Sequence, residues 1–208
     1  MDLANPIATA IPGTQGIVLG ILAATSTPLT GNGIAKLADG KASQSGVSRA
    51  LGRLVLSGLV RSQPAGRANL YTLNHDHVAA RAVIDLASLR QSLIDRIASD
   101  VGDWLVPPLA VWLFGSAARS SGDVDSDIDL FVLREVQRAD DDVWQAQTME
   151  LSERVVAWSG NGCEILDYSD PELSRLIDGD DALITSLRAD ALPVWGASPT
   201  ERLGRTHP

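Results

Sequence analysis

Residues 109–114 read Leu-Ala-Val-Trp-Leu-Phe, an unbroken apolar run that is far too short to cross a membrane and lacks the alternation of a half-exposed strand. A run of this length and kind is a buried strand, and this one delivers Gly115-Ser116 at its end. A second apolar run, Leu130-Phe131-Val132-Leu133, is entered through Ser126-Asp127-Ile128-Asp129. Side chains alternate along a strand, so Asp127 and Asp129 are expected on one face, about 7 Å apart. Two carboxylates held that close raise each other's pKa or recruit a cation. Hard oxygen donors of this kind suit Mg²⁺, which keeps several waters and also takes phosphate oxygens.

Charge is spread unevenly along the chain, whose formal net charge is −9. Residues 1–75 hold six basic and two acidic side chains, a balance of +4; the remainder holds 11 basic and 24 acidic ones, a balance of −13. A sign change between halves points to two domains with different partners, and 208 residues leave room for two small ones. The basic half is suited to phosphates. The acidic half repels DNA unless its carboxylates hold metal ions. No stretch reaches the roughly 18 apolar residues of a membrane span. Residues 16–24 are apolar but short, and Asp2 stands where a secretory signal has basic residues, so they read as a buried helix. Cys163 is the lone cysteine, which excludes an intrachain disulfide. The expected location is cytoplasmic, with no membrane partner.

Residues 1–13 carry no clear period and are expected to form a flexible N-terminus. Residues 14–24 fit a helix, and Thr30 is placed to cap a second one that runs to Asp39 and stops at Gly40. Ser43 or Ser45 caps a third helix, with Val47, Ala50, Leu51, Leu54 and Val55 on one face. Strand-like runs at residues 60–62 and 70–73 flank the turn sequence Gln63-Pro64-Ala65-Gly66. Three helices and a hairpin are the outline of a winged helix-turn-helix. The run from Ser45 to Leu54, followed by Gly58-Leu59-Val60-Arg61 and Gly66-Arg67-Ala68-Asn69-Leu70-Tyr71, resembles bacterial winged-helix regulators. That resemblance implies that double-stranded DNA is met by Gln44, Ser45, Ser48, Arg49 and Arg53 on the third helix, and by Arg61 and Arg67 on the wing. Arginine suits both phosphate and guanine contacts. The plainer alternative is a winged helix used only for protein contacts. The domain is expected to span residues 14–75.

Asn74 is placed to cap a long connector helix over residues 76–106, in which Val78, Ala82, Leu86, Leu89, Leu93, Ile97 and Val101 recur at intervals of three and four. Such a stripe packs on a neighbouring domain or on a second copy, which would make a homodimer. His75 and His77 lie two apart in a presumed turn and read as turn residues rather than metal ligands.

Residues 107–196 form the expected second domain. Gly115-Ser116 at a strand end, eleven positions to Asp127, then Asp-x-Asp on the next strand resembles the nucleotidyltransferase superfamily that includes DNA polymerase beta and kanamycin nucleotidyltransferase. Gly115-Ser116-Ala117-Ala118-Arg119 is similar to the Gly-Ser-x-Ala-Arg signature of the minimal nucleotidyltransferases; Ser120 departs from the Gly that commonly follows. The resemblance implies two Mg²⁺ ions on Asp127 and Asp129, and ATP or another NTP held by Gly115, Ser116 and Arg119. It also implies a third carboxylate that accepts the acceptor's proton. Within Cys163-Glu164-Ile165-Leu166-Asp167 the family pattern places Glu164 in that role, with Asp167 three residues on as the alternative.

Other acidic groups have structural readings: Asp140-Asp141-Asp142 begins a helix, and Asp178-Gly179-Asp180-Asp181 is a turn. Trp112, Trp144, Trp158 and Trp195 are expected in the core, and residues 197–208 are expected to be a disordered tail. The fold class is therefore α+β: a winged helix-turn-helix, a long connector helix and a nucleotidyltransferase α/β domain with a small mixed sheet. The function it implies is Mg²⁺-dependent transfer of an NMP, AMP from ATP above all, to a hydroxyl of protein, RNA or a small molecule. Minimal nucleotidyltransferases often belong to toxin–antitoxin pairs, and a winged helix would let such a protein regulate its own operon. The alternative is a transcription regulator whose nucleotidyltransferase domain only senses nucleotide.

Overall fold

The apolar stretch after Gly13 forms α1 (Thr14–Ala23), which buries Val18, Leu19 and Leu22. Thr30 accepts a hydrogen bond from the Gly33 N–H at 3.0 Å and starts α2 (Gly31–Leu37). Ser43, rather than Ser45, accepts from the Gly46 N–H at 3.1 Å and starts α3 (Gln44–Leu56). The α3 stripe of Val47, Ala50, Leu51 and Leu54 is buried against α1, Ile34 of α2 and Val60. Three antiparallel strands complete this unit: β1 (Leu29–Thr30), β2 (Val60–Ala65) and β3 (Ala68–Leu73), in the order β1-β3-β2. The hairpin reaches further than residues 60–62 and 70–73, because its turn is Gly66-Arg67 rather than residues 63–66. Gly66 has φ +62, the left-handed backbone that a two-residue hairpin turn requires. Pro64 stays in β2, paired with Asn69, because β2 is an edge strand with N–H positions to spare.

The computed structural model describes residues 1–119, 121–122, 125–135, 141–179 and 181–204. They divide into an N-terminal unit, residues 4–90 with Asp2, and a C-terminal unit, residues 91–208 with Met1 and Leu3. Order begins before Thr14, against expectation. Pro6–Thr9 is a 3-10 helix whose Ile7 is fully buried in the first core, and Leu3 is buried in the second. Two isolated apolar side chains anchor a segment too short to show a period.

The connector is also not one helix. It comprises α4 (Ala80–Ala87) and α5 (Leu89–Gly102), parted at Ser88, whose φ −97 and ψ 7 leave the helical range. Ala80 and Val83 of α4 enter the first core, whereas Leu93, Ile94, Ile97 and Val101 of α5 enter the second. One stripe thus serves two cores, and the helix breaks where it changes allegiance. Asn74 caps neither helix; its amide donates to the Gly58 carbonyl at 2.7 Å.

The C-terminal unit is built on β4 (Ala110–Phe114), β5 (Ile128–Arg134), β6 (Cys163–Ser169) and β7 (Leu192–Gly196), in the order β6-β5-β4-β7. β4 is antiparallel to both neighbours and β5 is parallel to β6, so the sheet is mixed, as expected. Val111, Leu113, Ile128, Leu130 and Val132 face α5 and α7 (Asp142–Ser159). Ala110, Trp112, Phe131 and Leu133 face the other way, toward α8 (Asp170–Asp178), α9 (Ala182–Asp190) and α10 (Pro199–Leu203). Covering on both faces explains why the two strands carry no polar alternation.

On the second face Phe131 is stacked between Trp112 and Tyr168, at 5.0 and 5.5 Å. The Trp112 indole donates to the Ala197 carbonyl at 2.7 Å. Trp112 and Trp144 are in the core, while Trp158 is only partly buried and Trp195 is 37% exposed. Asp141 caps α7 by accepting from Val143 and Trp144, and Asp181 caps α9; Asp140 and Asp180 lie outside the described residues. The segment after Gly196 is ordered as α10 through a capping box of Ser198 and Glu201, correcting the expected disordered tail; residues 205–208 lie outside the described residues. Among the described residues no helix is long and apolar enough to cross a membrane.

Candidate functional site

Gly115 ends β4 and opens the short helix α6 (Gly115–Ala118), with Arg119 as its C-cap. Two demands converge on this glycine. Its φ of +70 lies in the left-handed region, and a Cβ added there would run into the Asp129 carboxylate. Ser116 follows. Its carbonyl gathers the N–H groups of Ser121 and Gly122 at 3.1 and 3.2 Å, and Gly122 packs close to its hydroxyl. The loop therefore folds back over Ser116; Ser120, where the family signature is broken, lies outside the described residues.

The register of the sheet places Phe114 opposite Asp129 and Asp129 opposite Glu164. Residues paired across neighbouring strands share a face, so Asp129 and Glu164 stand on the same side of the sheet, beside the Gly-Ser turn. Asp127 precedes β5 rather than lying in it, and rests against Gly162, where a Cβ would overlap its carboxylate. The two aspartates thus lean on different glycines, Gly162 and Gly115. Asn161, 2% exposed, donates to the Ser126 carbonyl at 2.9 Å, and the Ile128 N–H donates to the Gly162 carbonyl at 2.8 Å. These bonds hold the entrance of β5 on both sides of Asp127.

Burial, followed by the charges of Glu164, Asp127 and Asp190, raises the Asp129 carboxyl above its ordinary value, and Arg119 offsets part of that. The site is therefore, among the described residues, a cluster of negative charge opposed by Arg119. Among the described residues no three His, Cys, Asp or Glu side chains converge as a ready-made metal cage. The donor set nonetheless fits Mg²⁺, which needs only one or two carboxylates when waters and phosphate oxygens complete its shell.

Asp167 takes no part in this cluster. It lies on the opposite face, ion-paired with Arg134 at 3.0 Å and accepting from the Trp144 indole at 2.9 Å. Arg134 is 7% exposed and also pairs with Glu172 at 3.1 Å, so this network joins β5, β6 and α8. Asp190 is the residue that motif reading missed: its carboxylate is ion-paired with Arg119 from the end of α9. Nothing in its local sequence marks it out.

In the N-terminal unit all seven residues expected at DNA are exposed. Gln44 and Ser48 line a cavity of about 400 Å³ with Asn69 and Tyr71 of the hairpin. Arg49 and Arg53 line another, of about 280 Å³, with Thr14 and Gln15. Arg61 is ion-paired with Asp76.

The site is thus a Gly-Ser turn packed against a carboxylate at the end of a mixed sheet. Residues 94–158 match the family described as the nucleotidyltransferase domain, a stretch that includes Gly115, Ser116, Arg119, Asp127 and Asp129 but stops short of Glu164 and Asp190. A solved structure described as "Crystal structure of the toxin-antitoxin with AMP-PNP" is similar at 18% identity and a TM-score of 0.38, over 53% of this chain and 78% of that one. Among curated proteins none matches the chain.

Proposed function

We propose that the C-terminal unit transfers an NMP, AMP from ATP in the first instance, to a hydroxyl acceptor with the help of Mg²⁺, and that the N-terminal unit is a winged helix-turn-helix that binds double-stranded DNA. The transferase reading is carried by the contact between Gly115 and the Asp129 carboxylate, which joins the phosphate-side turn to the metal-side strand. Bound Mg²⁺ supplies charge neutralisation at the attacking and leaving oxygens. Asp127 and Asp129 hold it. Ser116 and the backbone N–H groups at Gly115 bind the β- and γ-phosphates, and Arg119 offsets their charge. Glu164 accepts the proton of the acceptor hydroxyl, and pyrophosphate leaves. As the sequence resemblance implies, the acceptor and the operator belong to a toxin–antitoxin pair.

Incubation with labelled ATP, Mg²⁺ and lysate tests this. Label is expected in a macromolecule or small acceptor, and EDTA removes it. Glu164→Gln is expected to lower kcat by about 100-fold, the usual loss for a general base. Asp167→Asn is expected to leave kcat intact while lowering thermal stability, because it leaves the buried Arg134 with Glu172 as its remaining carboxylate. ATP binding without transfer to any acceptor would favour a regulator that only senses nucleotide.

For the N-terminal unit, a gel shift with the protein's own upstream DNA is the measurement. Arg49→Ala is expected to weaken binding evenly across sequences and to reduce the salt slope by about 1. Arg61→Ala is expected to do less, since Asp76 already neutralises that guanidinium. Equal losses from both variants would contradict the reading.

A further inference from the structure

We infer that Asp190 is a positioning residue of the nucleotide site, which holds the Arg119 guanidinium near the Asp129 carboxylate and presents it to the incoming phosphates. The inference rests on the nucleotide-transfer reading. Asp190 is the last residue of α9, and its side chain is only 11% exposed. One carboxylate oxygen is ion-paired with Arg119; the other is buried without a hydrogen-bond partner among the described residues.

Three penalties fall on this carboxylate. It sits at the negative end of a helix, it is largely desolvated with one oxygen unpaired, and it adds to the negative charge felt by Asp129. A neutral side chain would escape all three. Among the described residues the ion-pair partner of Asp190 is Arg119, and the pair is lopsided: the carboxylate is largely buried while the guanidinium is 52% exposed. Guanidinium has five donors in a fixed fork, and the ion pair engages one nitrogen. The rest of the fork is accessible to phosphate oxygens, with its stem tethered from 71 residues away in the chain.

A double-mutant cycle on the full chain tests this, with Mg²⁺ and AMP-PNP binding measured by calorimetry. Arg119→Ala and Asp190→Asn are each expected to weaken Kd by about 10-fold, equivalent to about 1.4 kcal/mol. The double variant is expected to be no weaker than Arg119→Ala alone, because Asp190 acts through the arginine. Asp190→Glu is expected to recover most of the affinity, and Asp190→Ser carries the cycle if Asp190→Asn does not fold. In the transfer assay the loss is expected in KM, with kcat within about twofold. Multiplying effects, near 100-fold in the double variant, or an unchanged Kd for Asp190→Asn would overturn the role of Asp190 alone. A wild-type protein that binds no nucleotide would overturn the transfer reading and this inference with it.

Discussion

Asp129→Asn is expected to abolish label transfer and, in the same protein without metal, to raise the melting temperature. The first effect follows from removing a carboxylate that the proposed function assigns to the cation. Losing the charge stabilisation it anchors is expected to lower the rate by at least about 1,000-fold, or about 4 kcal/mol of barrier. The second follows from the raised pKa of Asp129. Burial and then the charges of Glu164, Asp127 and Asp190 make the folded protein favour the protonated form. A group whose pKa is raised by folding contributes stability in full below its unfolded value, near 4, and loses it as pH rises through the folded value. At neutral pH in EDTA the wild type has lost that contribution, and an amide has not. The group is only partly buried, so screening holds the gain to about 1 kcal/mol or less, which is 2–4 °C at most for a chain of roughly this size. Added Mg²⁺ is expected to reverse the order by stabilising only the wild type. Thermal melts at several pH values, with EDTA or Mg²⁺, read both effects. A wild type that melts above Asp129→Asn in EDTA at neutral pH would contradict the crowding of charge on which the site is built.

Gly115→Ala is expected to damage both the fold and the site of the C-terminal unit. An alanine at φ +70 is strained by about 1–2 kcal/mol, and its Cβ displaces the Asp129 carboxylate. The melting temperature should fall by roughly 4–8 °C, for about 2 kcal/mol lost. Transfer should fall by about 100-fold or more, as misplacement of a catalytic group by about 1 Å can do. Gly162→Ala offers the contrast. Gly162 has no positive φ, and its added methyl meets the exposed carboxylate of Asp127, the far end of a side chain able to swing away. It is expected to lower transfer about as far while barely moving the melting temperature. Equal destabilisation by the two would mean that the Asp127 carboxylate is fixed by more than its contact with Gly162.

Several elements were legible locally. Thr30 caps α2, and the α3 stripe is buried as its spacing implies. The two apolar runs became the central strands, and the Gly-Ser turn lies beside Asp129. Where local reading misjudged, a distant contact decided. The stripe over residues 78–101 is continuous in sequence, but its halves are drawn into different cores and the helix parts at Ser88. Residues 1–13 and 197–204 lack a period, yet Leu3, Ile7, Ala197 and Leu203 find partners far along the chain.

The sequence by itself determined the two buried strands, the Gly-Ser turn that ends the first of them, and the carboxylates at the start of the second. Each of these follows from side-chain alternation and from residue chemistry within about twenty positions. Only the tertiary structure decided which acid of β6 faces Asp129, because the parallel register of β5 and β6 is a cross-strand property: it puts Glu164 opposite Asp129 and sends Asp167 to Arg134. It alone decided that Arg119 is tethered by Asp190. Local sequence encodes periodicity and backbone preference; it does not encode which charges meet once the sheet has closed and the helices have packed against it.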